Sequence, residues 1–138
     1  MRVRGLGGGA LTVAGAVALV FGALTIVSGG RALFGGAEAR AAVGDAVPFV
    51  LWFNFLAGFA YVAAGIGLLR RRLWAVPLSW FILIATALVF AAFAVHVLTG
   101  GAYEMRTAGA MTLRTTVWAV IAIVAARGLR RGSGTGAA

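Results

Sequence analysis

Arg114 is a guanidinium placed where the interior of a bilayer is expected. The last apolar stretch of the chain ends at Ala126, just before Arg127, Arg130 and Arg131. About 20 residues cross a bilayer. That carries the span back to Thr107 and puts Arg114 seven residues inside its outer end, at a depth of ~10 Å for a rise of ~1.5 Å per residue. A charge at that depth faces the protein interior or a wet cavity, has a partner, and marks a functional site by default. Counting seven residues in from Val47 places Asn54, the only asparagine, at the same level of another span. His96, the only histidine, stands near the outer end of a third span, and Tyr103, Glu104 and Arg106 follow in a short loop. Asp45 lies in the first outer connection, and Thr112, Thr115 and Thr116 surround Arg114. Trp118 falls one turn below Arg114 on the same helix face; plain packing in the bundle is the favoured reading, with cation–π stacking on the guanidinium the alternative.

Three chemistries fit these residues. In the first, Arg114 takes a carboxylate from Glu104 or Asp45, while Asn54 and a threonine complete a network that fixes helix register. In the second, the cluster binds or passes a small anion, a proton or a polar head group such as that of a quinone or lipid. The rigid donor fork of arginine suits an anionic or carbonyl-bearing ligand. In the third, His96 and Glu104 support catalysis or a metal, with Met105 and Met111 as soft ligands. The first predicts a dry, fully paired Arg114. The second predicts a cavity that reaches Asn54, His96 and Arg114. The third needs His96 and Glu104 within reach of one pocket.

Other chemistries are excluded. The absence of cysteine removes thiolate nucleophiles and thiolate metal sites. One histidine cannot clamp a haem from both sides within one chain. Gly7-Gly8-Gly9 precedes a span and lacks the Lys-Ser/Thr ending of a phosphate loop. The small multidrug antiporters share size and span count, but centre on a glutamate in span one; here that span has no ionisable residue. The Glu/Arg/Asn pattern of the glutathione-linked four-helix membrane enzymes is missing too. In size and span count the chain resembles the small DoxX-like bacterial membrane proteins, a likeness of architecture carried by no motif.

The elements that must position these residues are four apolar stretches, Leu6–Val27, Val47–Leu69, Leu73–Leu98 and Thr107–Ala126. With 62% hydrophobic residues, 11% charged and a mean hydropathy of +1.03, lipid is the expected solvent, since soluble domains carry about a quarter charged residues. The net charge of +9 does not read as a nucleic-acid face, because the arginines are scattered between apolar runs. They set orientation instead. Eight lie at the N-terminus, in Arg70-Arg71-Arg72 and at the C-terminus; four (Arg31, Arg40, Arg106 and Arg114) lie on the other side with all three acidic residues, Glu38, Asp45 and Glu104. The eight mark the cytoplasm, so both termini lie inside. The first apolar run is longer than the ~7–15 residues of a signal-peptide core and is read as a span.

Smaller features complete the plan. The three-residue Arg70–Arg72 link makes spans two and three antiparallel neighbours. Ala37–Val43 is expected as a short interfacial helix and Gly132–Ala138 as a flexible tail. Ala10, Ala14, Ala18 and Gly22 form a small-residue stripe, and Asn54, Gly58, Tyr61 and Gly65 share one helix face; both fit close helix packing. Trp52 and Trp74 read as interfacial anchors. The expected fold is therefore all-α: an integral membrane bundle of four antiparallel transmembrane helices in one domain (residues 1–131). The expected protein is a multi-pass bacterial inner-membrane protein. It is non-enzymatic and without a cofactor, an accessory or self-associating subunit whose partners are the bilayer and other membrane chains or itself. The runner-up is a small transporter or ligand-binding membrane protein. An enzyme acting on a lipid-soluble substrate comes third.

Overall fold

Hydrocarbon offers no water to an exposed peptide group, so each apolar stretch must satisfy its own N–H and C=O groups as a helix. The computed structural model describes the backbone of residues 2–137 and the side chains of residues 8–42 and 44–129. Five helices follow one another: α1 (Arg2–Phe34), α2 (Ala37–Val43), α3 (Pro48–Leu69), α4 (Ala75–Leu98) and α5 (Met105–Ala137). No strand occurs among the described residues. Four of the helices are long and apolar enough to cross a membrane, over Gly8–Phe34, Pro48–Leu69, Ala75–Leu98 and Met105–Leu129.

The helix ends follow local chemistry. Pro48 opens α3 at a first-turn position, where its missing N–H costs nothing and its φ is already helical. The short helix α2 falls on the predicted residues, between Gly36 (φ 89°) and Gly44 (φ 60°), backbone conformations that need no Cβ. After α3, the Arg72 N–H donates to the Gly67 carbonyl (2.8 Å) and the Arg71 N–H to that of Leu68 (3.2 Å). This double return normally places glycine in the left-handed position, yet Arg71 holds it with φ 58°. The strain, roughly 1–2 kcal/mol, is offset by the side chain. Nη1 donates to the Leu68 carbonyl, and Nη2 to the Gly8 carbonyl (2.9 Å) and to Thr12 Oγ1 (3.1 Å), tying the end of α3 to α1.

Two boundaries differ from expectation. The first span does not stop at Val27: α1 continues through Ser28-Gly29-Gly30 to Phe34. Gly29 is not a breaker here, because a Cβ on it would lie 3.0 Å from Cβ of Phe55, so its missing side chain admits α3. The fourth helix starts at Met105, two residues before Thr107, and its helical backbone runs on through Gly132–Ala137.

Around the bundle, α1 packs on α3, α3 on α4, α4 on α5 and α5 on α1, with α1–α3 the most extensive pairing. Its physical basis is a row of glycines at seven-residue spacing. A Cβ on Gly15 would lie 3.0 Å from the Gly65 carbonyl oxygen, and one on Gly22 would lie 2.9 Å from that of Gly58. Backbones this close gain dispersion contacts that larger residues would forbid. Of the predicted small-residue stripe, Ala14, Ala18 and Gly22 are buried and Ala10 is exposed. Gly58, Tyr61 and Gly65 of the α3 face are all buried. Leu11, Ala18, Tyr61, Leu68, Trp118 and Ile121 form the main core, and Val47, Val50, Phe93 and Met111 form a second apolar cluster. Large side chains such as Val20, Leu24, Phe81 and Leu88 face outward, the pattern of a surface whose solvent is lipid.

Gly22→Val places a branched side chain against the Gly58 carbonyl and the Val62 side chain. It should destabilise the protein by about 1–3 kcal/mol in detergent unfolding, whereas Gly109→Ala, with nothing within 4 Å of the new Cβ, should stay within about 0.5 kcal/mol.

Candidate functional site

Three helices build the surroundings of Arg114. Its Nη1 donates to Thr25 Oγ1 of α1 (3.0 Å) and to the Tyr61 hydroxyl of α3 (3.3 Å). The guanidinium carbon lies 5.0 Å from the ring centre of Phe21 and 5.9 Å from that of Tyr61, within the range where a ring face attracts a cation. Trp118 does not stack on Arg114. It is fully buried, its ring lies 5.0 Å from that of Tyr61, and its Nε1 is buried without a hydrogen-bond partner. Arg114 Nε is likewise buried and unpartnered. Among the described residues Nη2 makes no hydrogen bond either.

The expected carboxylate partner is not there. Glu104 accepts a hydrogen bond from the Asp45 backbone N–H (2.9 Å) and lies 4.0 Å from Arg106. Asp45 is exposed, and so is Glu38. The geometry explains the miss: Glu104 immediately precedes α5, while Arg114 lies nine residues into it from Met105, about 14 Å down at ~1.5 Å per residue. No glutamate side chain bridges that gap.

The other predicted residues collect at the end of the bundle where α5 begins. Arg106 Nη2 donates to the Ala42 carbonyl at the end of α2 (3.0 Å). Together with the Glu104–Asp45 bond, this staples the α2 connection to the start of α5. His96 Nε2 bonds the Ala102 carbonyl (2.8 Å), and its ring meets Phe49 edge-on. Histidine here holds the turn between α4 and α5, and Tyr103 packs edge-on against Phe93 (5.9 Å). Asn54 does not meet Arg114. It lines a cleft of about 190 Å³ with Val50, Glu104, Arg106, Thr107 and Ala110, and its Oδ1 is buried without a partner. Asn54 lies six residues, about 9 Å, along α3 from Pro48, whereas Arg114 lies about 14 Å along α5 from Met105. Met111, fully buried, comes between the cleft's Ala110 and Arg114 along α5. Neither His96 nor Arg114 lines the cleft. Thr112 and Thr115 return their hydroxyls to their own helix, at Ala108 and Met111, and Thr116 is exposed.

Thr25 and Phe21 were not legible as partners of Arg114. A span ending at Val27 leaves Thr25 at the membrane rim. Extended to Phe34, α1 carries Thr25 nine residues inside its end, the same count that separates Arg114 from Met105. Tyr61 was legible as a packing residue, but not as an acceptor.

No family model matches the chain, and neither a curated protein nor a solved structure matches it.

Thr25→Val and Tyr61→Phe each remove one acceptor from a membrane-buried cation, and each should cost about 1–3 kcal/mol of stability. In a double-mutant cycle with Arg114→Gln, each should show a coupling above about 0.5 kcal/mol; additive losses in detergent unfolding would mean these contacts carry no energy.

Proposed function

We propose that this chain is a non-enzymatic, multi-pass protein of the bacterial inner membrane, and that it holds an acidic or carbonyl-bearing group from outside the chain against Arg114. The observation that carries the reading is the missing counter-charge. Placing arginine at the centre of a span costs roughly 2.5–3.5 kcal/mol on insertion scales. Two neutral hydroxyls and two ring faces reduce that cost, but they do not neutralise the charge. With Glu38, Asp45 and Glu104 all at the outer end or in the outer connection, a neutralising acceptor comes from another subunit or from a ligand. An accessory or self-associating subunit and a ligand-binding membrane protein share this requirement.

The arrangement proposed for the spans is antiparallel with both termini cytoplasmic. Glycine contacts that descend on α3 as they ascend on α1, Gly15 with Gly65 and Gly22 with Gly58, support the antiparallel pairing of those two helices. The excess of arginine at the N-terminus, at Arg70–Arg72 and at the C-terminus supports the orientation. Arg114 then opens in the outer half of the bundle, below the rim that Glu104, Arg106 and His96 staple. A purely structural Arg114, locking α1, α3 and α5, is the second reading, and its bonds to Thr25 and Tyr61 favour it.

The two readings separate on Arg114→Met. Replacing an uncompensated buried charge by an apolar side chain of similar volume is often neutral or stabilising by about 1–4 kcal/mol. The purified variant should thus be at least as stable as wild type, while material that co-purifies with wild type is lost. Destabilisation by about 3 kcal/mol or more with nothing lost would establish the structural lock. For orientation, reporter fusions at Arg71 and Tyr103 should report the cytoplasmic and outer sides respectively; the reverse would overturn the topology.

A further inference from the structure

Resting on that reading, we propose that the acceptor is the carboxylate of a single acyl chain, which enters sideways from the bilayer through the groove between α1 and α5. The groove holds about 440 Å³ and is walled by Ala16, Val20, Phe21 and Leu24 of α1 and by Leu113 and Val117 of α5. Every one of these side chains is hydrocarbon, so the groove offers a tail no polar partner along its length. One wall leads to the charge. Phe21 lines the groove and also faces the Arg114 guanidinium at 5.0 Å, and Leu113 and Val117 flank Arg114 on α5. Arg114 does not itself line the groove, and Phe21 is the side chain that the two share; an apolar groove beside an uncompensated cation matches an amphiphile with a hydrocarbon tail and an anionic head.

The head group follows from the state of the guanidinium. Nη1 is committed to Thr25 and Tyr61, whereas Nε is unpartnered and Nη2 makes no hydrogen bond among the described residues. Those two nitrogens form one edge of the fork, the edge that receives both oxygens of a carboxylate. Nε is buried, so the head meets the Nη2 end of that edge. Arg114 lies about 14 Å below the start of its helix, so any anionic head held there has left the head-group layer; a diacyl phospholipid fits less well, because it would draw its phosphate and glycerol down together. A quinone carbonyl can reach that depth but leaves the charge uncompensated. A fatty-acid carboxylate satisfies both the depth and the charge.

The test uses the full chain in phosphatidylcholine nanodiscs with radiolabelled palmitate as probe, and hexadecanol as the competitor that has the tail without the carboxylate. Wild type should bind palmitate saturably, one per chain, and excess hexadecanol should displace it at least about tenfold less well than unlabelled palmitate. Arg114→Gln should weaken binding at least about tenfold. Ala16→Trp, which fills the groove at an exposed position away from the hydroxyl partners, should weaken it comparably. Helicity and melting of both variants, measured in the same discs, show that they are folded. Equal displacement by hexadecanol, or palmitate binding undiminished in folded Arg114→Gln, overturns the carboxylate assignment; undiminished binding in Ala16→Trp overturns the groove. If palmitate does not bind but native mass spectrometry finds another anionic molecule or a second chain held by wild type and lost from Arg114→Gln, the acyl-chain inference falls and the proposed function stands. If nothing is held in an Arg114-dependent way, both fall.

Discussion

A guanidinium inside a helix long and apolar enough to cross a membrane is the constraint around which the bundle is arranged. Arg114 belongs to α5, and its two hydroxyl partners belong to α1 and α3. One nitrogen can reach both only if those two helices lie close together. The glycine contacts provide that proximity where it is needed: Gly22 faces Gly58 as Gly15 faces Gly65, so Thr25, one turn after Gly22, and Tyr61, one turn after Gly58, lie on opposite sides of one close contact. The backbone contact between them thus sets how far apart the two hydroxyls stand. The aromatic residues extend the arrangement. Phe21 and Tyr61 turn ring faces to the cation, and Trp118 packs behind Tyr61.

The end of the bundle where α5 begins solves a different problem. Glu104, Arg106 and His96 act on backbone groups: Glu104 takes the Asp45 N–H, Arg106 reaches the Ala42 carbonyl and His96 reaches the Ala102 carbonyl. These contacts fix the connections between helices, and at their exposure the charged pair adds little stability of its own. Arg71 plays the corresponding part at the opposite end of α3, where its backbone is left-handed, one side-chain hydrogen bond returns to Leu68 and two join the helix to α1. Arg71, Glu104 and Arg106 thus have defined partners at the two ends of the bundle. In the middle Arg114 has donors to spare, and beside it Trp118 Nε1 is also unpartnered.

Much of this was readable from residue types. Hydropathy and the arginine clusters located four spans, the Gly-flanked Ala37–Val43 segment read as a helix, and depth counting singled out Arg114. The partners were not readable, and one boundary explains why. Gly29-Gly30 signals a helix end, because the cost of glycine in a helix is local, whereas its benefit, room for Phe55, comes from a residue on another helix. Ending α1 at Val27 moved Thr25 to the rim, and starting the last span at Thr107 raised Arg114 toward Asn54. Both bounds, set for apolar spans and not for whole helices, pointed to a polar network with Glu104. The seven-residue glycine row was hidden for a similar reason, since in an alanine- and glycine-rich span the four-residue stripe is equally conspicuous. Opposing residues, not the span itself, decide which stripe is the contact.

A dipolar-recoupling measurement in bilayers tests the missing counter-charge most directly. The protein would carry 15N-arginine and 13C-labelled Asp and Glu carboxyl groups, be diluted into unlabelled chains, and have Arg114 assigned by its loss in Arg114→Gln. No carboxyl carbon of the same chain is expected within ion-pairing distance, about 4 Å between nitrogen and oxygen, of the Arg114 guanidinium. A contact between Arg114 and Glu104 or Asp45 of the same chain would contradict the missing counter-charge and make the site a closed structural pair.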